Sequence, residues 1–439
     1  MSFRLSDILR PFEDFFKHQA AGGLVLMGTT LLALLLANSP LAPAYHHFWE
    51  RQLTIGFDGF ALSQSLHVWI NDGLMAVFFF VVGLEIKREL LAGELATLRN
   101  AALPIAAAIG GMLLPALIYR LLAPGPPQVD GWGIPMATDI AFALGVIALL
   151  GRRIPRSLAI FLTALAIVDD LGAVLVIAVF YTGALALVPL AGAALCLLLL
   201  FAGNRLGVQH PNFYALVGFV LWLALLKSGI HASIAGVLIG ATIPVRPRHS
   251  HEEFTGRIDT LLERYHEAET IEGPFHHEAR LGTLLALEHA CHDAMSPLQR
   301  MEHEMQGWVL FGIMPLFALA NAGISLNGRE LAAAVSDPVT LGVALGLLCG
   351  KPLGVLLFSW LAVRLGVAEL PRGSRWRDVL GIGILAGIGF TMSLFVTGLA
   401  FSDPLLIVRA KLGIFAASLL AGAGGYLLLA RRRGEAVVP

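Results

Sequence analysis

Long apolar blocks separated by short polar segments recur along almost the whole chain of 439 residues. A helix needs about 20 consecutive, predominantly apolar residues to cross a bilayer. Twelve blocks are compatible with membrane spans, although several of them are short. They run roughly over residues 20–37, 66–84, 101–122, 134–150, 158–181, 184–203, 212–226, 229–243, 308–324, 338–363, 379–400 and 410–430. The pattern predicts an all-α polytopic membrane protein with about twelve transmembrane helices.

Lys and Arg residues are distributed unevenly between the two sides that these spans define. With a cytoplasmic N-terminus, 23 of the 30 fall in cytoplasmic segments and 6 on the opposite side, while Lys351 lies inside a span. Cytoplasmic loops are enriched in Lys and Arg, and the bias is still 17 against 6 without the long loop after residue 243. The charge distribution supports the span count and places both termini in the cytoplasm.

The composition agrees with a membrane protein and argues against other classes. Hydrophobic residues make up 57% of the chain and charged residues 14%, against roughly 25% charged residues in soluble domains. The net charge of -1 gives no electrostatic footprint for nucleic acid. The three cysteines are far apart and form neither a disulfide framework nor a metal motif. The first block is too long for the core of a signal peptide, so we expect a retained span.

Residues 52–65 form a polar segment in which apolar positions alternate around Asp58 and Gly59. An Asp-Gly dipeptide between alternating runs favours a β-hairpin. On the extracytoplasmic face, such a hairpin could pair with a second copy through its edge. A plain loop is the alternative.

Residues 249–298 form a hydrophilic cytoplasmic insertion between the eighth and ninth spans. Eight of the 14 histidines lie between His249 and Gln306, and their order matches no standard zinc motif. Leu281 and Leu285 have helical spacing. We expect a solvated, partly helical insertion without metal, and a metal site or a pH sensor is the alternative.

Four ionisable residues lie inside apolar blocks: Asp139, Asp169, Asp170 and Lys351. Insertion scales assign about 2.5–3.5 kcal/mol to each Asp or Lys at the centre of a membrane helix. Four such groups facing lipid would cost about 10–14 kcal/mol, so they need water, partners or a function. They are therefore the first candidates for a functional site.

Asp169 and Asp170 are adjacent in an otherwise apolar block. Neighbours on a helix point about 100° apart, so both carboxylates can face one cavity. Two close carboxylates cannot both ionise cheaply, so one is expected to hold a proton, and sodium prefers oxygen ligands. Competition between a cation and protons for the same oxygens is the chemistry of an antiporter. The alternative is a helix end at the interface, where the pair would be solvated.

Lys351 is the only basic residue deep inside a predicted span. The simplest account is an ion pair with one of the two aspartates, which leaves the other aspartate free as a cation ligand. The alternative is a lysine that extends to the membrane interface.

Two predicted spans are interrupted. Pro135 precedes Thr138 and Asp139 in the fourth span, and the block at 381–395 in the eleventh span combines several glycines with Thr391. Paired interrupted segments indicate the central site of a transporter, because a broken helix exposes backbone N–H and C=O groups. The alternatives are close helix packing at the glycines and a helix-capping role for Asp139.

Glu85 and Glu89 lie with Lys87 and Arg88 at the cytoplasmic end of the second span. The cluster could form an acidic funnel or respond to pH. The pattern alone favours the ordinary interpretation, a solvated helix end with i,i+4 pairs.

Seven segments of the chain occur in a recognisable order. They are WINDGLMAVFFFVVGLEIKREL, ATDIAFALG, ALAIVDDLGA, LKSGIHASIAGV, PLFALANAG, GKPLG and GILAGIGFTMSLF. Together they resemble the NhaA sodium/proton antiporter family, from about Ala20 to Tyr426. Each motif alone is weak, whereas seven in the family's order are specific.

The resemblance implies a bacterial inner-membrane transporter, not an enzyme, with twelve spans in inverted repeats. It implies electrogenic exchange of cytoplasmic Na⁺ or Li⁺ for external H⁺ by alternating access, for pH and sodium homeostasis. The fourth and eleventh spans would be discontinuous and would cross. The hairpin would be a homodimer contact, and no cofactor would be needed beyond the transported ions.

The family's motif positions imply separate roles for the charged residues. Asp170 would be the main cation ligand and proton carrier, with Asp169 as its neighbour and as the partner of Lys351. Thr138 and Asp139 would shape the site and compensate the half-helix ends. A pH-sensing cytoplasmic entrance would be formed by Glu85, Glu89, Glu302 and His303.

Two departures from the family pattern concern the cytoplasmic side. The insertion makes its loop longer than in compact members. The family's Leu-Glu-His-x-Leu-His-Pro-Trp reads MEHEMQGW at 301–308, so Gln306 and Gly307 replace a histidine and a proline. These changes bear on the pH profile and leave the transport site intact.

Other classes of membrane protein fit the residues less well. An intramembrane aspartyl protease needs a Gly-x-Gly-Asp setting, but residues 381–383 precede Ile384. A membrane prenyltransferase needs Asp-Asp-x-x-Asp, and the segment at Asp169 and Asp170 lacks the last acid. A passive cation channel would not need a titrating pair beside a buried lysine. The strongest alternative is a related transporter for a different cation.

Overall fold

Helices account for most of the computed structural model of the chain, as the apolar blocks predict. The structure describes residues 5–56, 61–183, 185–246, 251–269, 276–325 and 328–432. Its α-helices are Leu5–Ala37, Ala42–Glu50, Leu66–Val68, Met75–Ala92, Leu98–Leu122, Ile140–Leu150, Arg156–Phe180, Leu187–Arg205, Pro211–Ser228, Ile234–Thr242, His251–Glu269, His276–Ala294, Pro297–Trp308, Met314–Asn321, Gly328–Ala334, Pro338–Leu345, Lys351–Arg364, Trp376–Ala386, Phe390–Ala400 and Pro404–Ala430. In the same ranges, π-helical turns cover Trp69–Leu74, Val309–Ile313 and Gly346–Gly350, and 3₁₀-helices cover Glu94–Ala96, Gln128–Met136 and Gly151–Arg153.

Eight helical segments of the described chain are long and apolar enough to cross a membrane. They are Leu66–Ala92, Leu98–Leu122, Gln128–Leu150, Arg156–Phe180, Leu187–Arg205, Pro211–Ser228, Pro338–Arg364 and Pro404–Ala430. Two bent helix pairs raise the number to ten if each pair is one span: Ala21–Ala37 with Ala42–Glu50, bent by 112°, and Trp376–Ala386 with Phe390–Ala400, bent by 47°. The prediction of a polytopic helical membrane protein is confirmed at this level.

Two of the twelve predicted spans contain shorter apolar helices. The block at 229–243 holds only the nine-residue helix Ile234–Thr242, because Gly229 ends the preceding helix with a φ of 88° and the chain then turns. Nine residues of α-helix extend about 14 Å, less than half of the roughly 30 Å hydrocarbon layer. The block at 308–324 is helical only as far as Asn321, and its helix begins in polar sequence.

The predicted hairpin is present as a two-stranded antiparallel sheet. Gln52–Ile55 pairs with Leu62–Ser65, so that Thr54 lies opposite Ser63. Every residue of the first strand is exposed. The predicted turn at Asp58-Gly59 lies outside the described residues.

Most of the described part of the predicted insertion at 249–298 is helical. His251–Glu269 and His276–Ala294 pack against each other, and Leu261 and Ala290 are buried. His249 and residues 270–275 lie outside the described residues.

The fourth and eleventh predicted spans are both interrupted. We call Gln128–Leu150 the first interrupted helix: its 3₁₀ part ends at Met136 and its α-helical part begins at Ile140. We call Trp376–Ala386 together with Phe390–Ala400 the second interrupted helix. Both breaks fall at the proline- and glycine-rich segments that predict them, because proline has no N–H to donate and glycine weakens a helix.

The larger of two buried apolar clusters surrounds the interrupted helices, and the smaller lies among Leu187–Arg205, Pro211–Ser228 and Ile234–Thr242. Glycine permits one close helix contact near the smaller cluster. A Cβ on Gly83 would lie 2.9 Å from Val237 Cα, so the helices Met75–Ala92 and Ile234–Thr242 pack backbone against backbone.

Candidate ion-binding site

Asp169 and Asp170 lie near the middle of the helix Arg156–Phe180, where only 1% and 4% of their surfaces are exposed. Asp169 Oδ2 lies 2.5 Å from Lys351 Nζ and accepts a hydrogen bond of 2.7 Å from the Thr138 hydroxyl. Asp169 Oδ1 is buried and has no hydrogen-bond partner among the described residues. The ion pair offsets the desolvation of one carboxylate and leaves one of its oxygens available.

Lys351 has a fully buried side chain and begins the helix Lys351–Arg364, directly after the π-helical turn Gly346–Gly350. Its Nζ also donates to the carbonyl oxygen of Met136. That carbonyl is free to accept because the first interrupted helix breaks immediately after Met136 and removes the usual helical donor. The environment of the lysine therefore depends on the break as well as on Asp169.

Glycines lie where the helix Leu98–Leu122 packs against the helix that carries Lys351. A Cβ on Gly110 would collide with the carbonyl oxygen of Gly354, and a Cβ on Gly354 would collide with that of Gly110. A Cβ on Gly111 would lie 3.5 Å from Lys351 Cε. The helix Leu98–Leu122 can therefore pack directly on the helix that carries the lysine.

The breaks of the two interrupted helices contact each other. The Asp139 N–H donates to the Ile388 carbonyl at 2.6 Å. The Thr138 hydroxyl lies 2.9 Å from the Ala386 carbonyl oxygen and shares its one proton between this oxygen and Asp169 Oδ2. Backbone groups that lose their partners within one helix are thus satisfied by the other helix. Thr138 also bonds to Asp169, so it joins the breaks to the carboxylate pair.

The Asp139 carboxylate caps the helix beginnings at both breaks. Its Oδ1 accepts from Phe142 N at 3.1 Å, and its Oδ2 accepts from Thr391 N at 3.0 Å and from the Thr391 hydroxyl at 2.5 Å. Helix N-termini carry partial positive charge and favour a carboxylate. Asp139 therefore compensates two half-helix ends, and both of its oxygens are engaged.

Asp170 differs from the other two aspartates because no hydrogen-bond partner for its carboxylate exists in the described part of the chain. Asp169, Glu85, Asp139 and Lys351 are close enough to interact with it electrostatically. Three of these four groups are acids. A buried carboxylate in such surroundings is stabilised when it binds a cation or a proton.

Arg88 joins the residues expected at the cytoplasmic entrance. Its guanidinium nitrogens lie 2.5 Å from Glu302 Oε1 and 3.1 Å from Glu89 Oε1. Burial raises the pKa of Glu302 above its ordinary value of 4.5, and the charge of Arg88 opposes that rise. Glu85 lies within electrostatic range of Arg88 and Glu302 and also of Asp170.

His303 is exposed beside the buried Glu302 and forms no ion pair with this cluster in the described structure. The structure therefore brings Glu85, Glu89 and Glu302 together through Arg88 and leaves His303 at the edge.

Several contributors to the site have little signal in the sequence. The Met136 carbonyl has no signal in the sequence, because every residue carries a backbone carbonyl group. Thr391 is visible only as a polar residue beside a break. Gly110 and Gly111 are visible only as small residues, which are typical of close helix packing.

Comparison with known proteins decides the family. Residues 13–429 match the family model described as Na+/H+ antiporter 1. This chain belongs to that family. Its relatives include the "Na(+)/H(+) antiporter NhaA 2" of Syntrophotalea carbinolica, 66% identical over 431 residues and 98% of each chain. They also include the "Na(+)/H(+) antiporter NhaA" of Acidithiobacillus ferrooxidans, 52% identical over 434 residues, 98% of this chain and 99% of the relative.

The resemblance of this chain to the NhaA family is thereby confirmed. The chain is a transporter of the sodium/proton antiporter class and not an enzyme.

Proposed function

We propose that this antiporter exchanges cytoplasmic Na⁺ or Li⁺ for external H⁺ electrogenically, by alternating access, for pH and sodium homeostasis. The observation that carries the proposal is the Asp170 carboxylate, which is buried, lacks a described partner and lies beside the pair of Asp169 and Lys351. A proton and a hard cation compete for such a carboxylate, and that competition couples the two fluxes.

Asp170 is the main cation ligand and proton carrier in this proposal. Asp169 adds its unpartnered Oδ1 as a second ligand oxygen. Thr138 and Asp139 shape the site: the first fixes the Asp169 side chain and the second holds the two breaks together. An oxygen-only ligand set suits Na⁺ and Li⁺ as cargo, so no cofactor is needed.

Electrogenic exchange needs unequal numbers of protons and sodium ions in each cycle, and an excess of protons needs a second proton carrier beside Asp170. We assign that role to the pair of Asp169 and Lys351, because Lys351 Nζ lies 2.5 Å from Asp169 Oδ2 and the two groups can share a proton. A cation that draws Asp169 away from the lysine would release the proton that the pair shares.

The membrane arrangement in this proposal has twelve spans in inverted repeats, and the two interrupted helices cross at their breaks. The hydrogen bonds between the breaks support such a crossing. The chain is one membrane domain of a bacterial inner membrane with the insertion at 249–298 and both termini in the cytoplasm, which the distribution of Lys and Arg supports.

The cytoplasmic entrance senses pH through Glu85, Glu89, Glu302 and His303. The buried Glu302 supports this proposal, because its raised pKa brings its titration closer to neutral pH. The double variant Gln306→His and Gly307→Pro introduces the family's residues beside this entrance. The pH profile of exchange should shift in this variant, and an unchanged profile would contradict a role for these two positions.

The hairpin is proposed to join two copies into a homodimer. Its exposed strand Gln52–Ile55 presents backbone groups at an edge that a second strand can pair with. Removal of residues 53–64 should yield monomers in detergent, and a retained dimer would place the interface elsewhere.

The exchange itself is tested with purified protein in proteoliposomes that carry an imposed pH gradient. Added Na⁺ or Li⁺ should dissipate the gradient, K⁺ should not, and an imposed membrane potential should change the rate. Equal rates with all three cations would contradict the proposed selectivity, and a rate independent of potential would contradict electrogenic exchange.

A further inference from the structure

A cavity of about 640 Å³ lies away from the ion site, at the beginnings of two predicted spans. Its walls come from the helix Leu98–Leu122, the helix Arg156–Phe180 and the segment at 369–372 that precedes the second interrupted helix. None of the acids, the lysine or the threonines of the ion site lines it. Its size falls within the roughly 300–1,000 Å³ of ordinary ligand pockets.

Charged residues of both signs surround the mouth of the cavity. Arg99 and Glu369 both line the cavity and form an ion pair, with 77% and 75% of the two side chains exposed. Arg372 and Glu94 also line the cavity. The hydrogen bond and charge of Arg99 lower the pKa of Glu369, and Arg372 adds to this effect, so the mouth holds ionised groups of both signs.

The pair at the mouth can open for a ligand at little cost. Ion pairs this exposed contribute only about 0–1 kcal/mol, because water competes for both partners. A ligand with its own positive and negative groups can therefore replace the contact between Arg99 and Glu369 with two contacts of its own. No described partner holds the Arg372 guanidinium or the Glu94 carboxylate in a salt bridge.

The interior of the cavity is apolar. Leu103, Phe161 and Ala164 are buried residues of its lining, and Leu370 and Ile160 are half-buried beside them. The exposed residues of the lining are thus polar or charged, and its buried residues are apolar. This division matches an amphiphile that has a charged head and a hydrocarbon chain.

The position of the cavity also favours a lipid. Both flanking helices begin their apolar sequence here, and the distribution of Lys and Arg places these beginnings on the cytoplasmic side. The mouth is therefore level with lipid headgroups, while the interior is level with the upper part of the acyl chains.

We propose that this cavity binds a phospholipid whose headgroup carries both a phosphate and a primary ammonium, as in phosphatidylethanolamine. Arg99 and Arg372 bind the phosphate, and Glu94 and Glu369 accept hydrogen bonds from the ammonium. One acyl chain enters along Leu103. A quaternary choline headgroup has no N–H to donate, and a purely anionic headgroup leaves both acids unpaired.

The bound lipid would link elements that the transport mechanism uses. One wall is the helix that carries Asp169 and Asp170, and another is the helix that packs on Lys351. The segment at 369–372 leads into the second interrupted helix. This inference rests on the proposed membrane orientation, but binding is measured without ion transport, so failure of one does not imply failure of the other.

The test uses the full chain, delipidated in detergent and titrated with lipids in native mass spectrometry. Phosphatidylethanolamine should bind with one tight site, at least about tenfold tighter than phosphatidylcholine or phosphatidylglycerol with the same acyl chains, since one charged hydrogen bond corresponds to about that factor. Equal affinities for the three lipids would overturn the proposal. Displacement by water-soluble phosphoethanolamine at matching concentration would do so too, because the ligand would then be a soluble zwitterion.

Matched arginine variants localise the site. Arg372→Ala should lower the affinity for phosphatidylethanolamine about tenfold, whereas Arg377→Ala, an exposed arginine nearby that does not line the cavity, should not change it. Ile160→Trp should weaken all lipids together by filling the interior. The affinity of each variant is compared with that of the parent protein only if the two have the same melting midpoint in detergent. Parent-like binding by both Arg372→Ala and Ile160→Trp would show that the lipid binds elsewhere.

Discussion

Lys351 Nζ lies 2.5 Å from Asp169 Oδ2, and both side chains are fully buried. Such a pair offsets the desolvation of its two charges only while both partners are present. The neighbouring Asp170 has no comparable partner among the described residues. Two adjacent acids of one helix are thus in different electrostatic situations, which is what a site with one fixed and one exchangeable carboxylate requires.

Replacing the lysine should destabilise the protein. Lys351→Met leaves the Asp169 carboxylate buried without a counter-charge, so we expect a loss of about 3–5 kcal/mol of unfolding free energy. The double variant with Asp169→Asn should recover most of it. Arg364→Met is the control, because that arginine stacks on Trp360 at the far end of the same helix and should cost about 1 kcal/mol or less. Equal melting midpoints for Lys351→Met and its control would contradict a stabilising ion pair.

Thr391 should be needed to hold the two breaks together. Thr391→Val removes the hydroxyl that donates to Asp139 but retains the backbone N–H bond, so about 1–3 kcal/mol should be lost and exchange should slow. Thr397→Val provides the control, because it removes a buried hydroxyl that bonds only to the Ser393 carbonyl in its own helix. If both variants exchanged sodium at the same rate, Asp139 would not depend on Thr391.

The buried Glu302 should make stability depend on pH. Because its pKa is raised above 4.5 in the folded protein, the folded state holds the proton more tightly than the unfolded chain. Stability therefore falls as the pH rises from 4.5 through the raised pKa. Glu302→Gln should reduce the fall in melting midpoint between about pH 5 and pH 8. Glu304→Gln, at an exposed position of the same helix, should leave the profile unchanged; a parent-like profile for Glu302→Gln would assign the dependence to another group.

Gly110 should not tolerate a side chain. The Cβ of Gly110→Ala would collide with the Gly354 carbonyl and separate the helix Leu98–Leu122 from the helix that carries Lys351. We expect a loss of about 1–3 kcal/mol or more, together with slower exchange. Gly192→Ala is the control, since no atom lies within 4 Å of its Cβ and the helix should gain up to about 1 kcal/mol. Parent-like exchange by Gly110→Ala would show that this contact does not position the lysine.

The sequence predicted the helical architecture and the candidate acids because both rest on the cost of polar groups in a bilayer. Charges such as Asp170 and Lys351 stand out in apolar blocks for that reason. The hairpin was predictable because alternation and turn chemistry are local. The breaks were predictable because Pro135 and the glycines near Gly387 disrupt helices locally.

The remaining features depend on contacts between distant parts of the chain. The Met136 carbonyl that binds Lys351 becomes available only through the break, and no residue type marks it. The contact between Gly110 and Gly354 joins two spans that the sequence cannot pair. The short helix Ile234–Thr242 was predicted as a longer span because hydropathy does not show that the chain turns after Gly229.

In the proposed function Asp170 carries the exchanged ions, and the variant Asp170→Asn tests this role most directly. In proteoliposomes with an imposed pH gradient, this variant should lose sodium-dependent dissipation, because the amide cannot exchange a proton for a cation. Asp403→Asn, which changes an exposed helix cap, should retain parent-like exchange. Normal sodium/proton exchange by Asp170→Asn at parent-like expression and folding would contradict the assignment of the ion site.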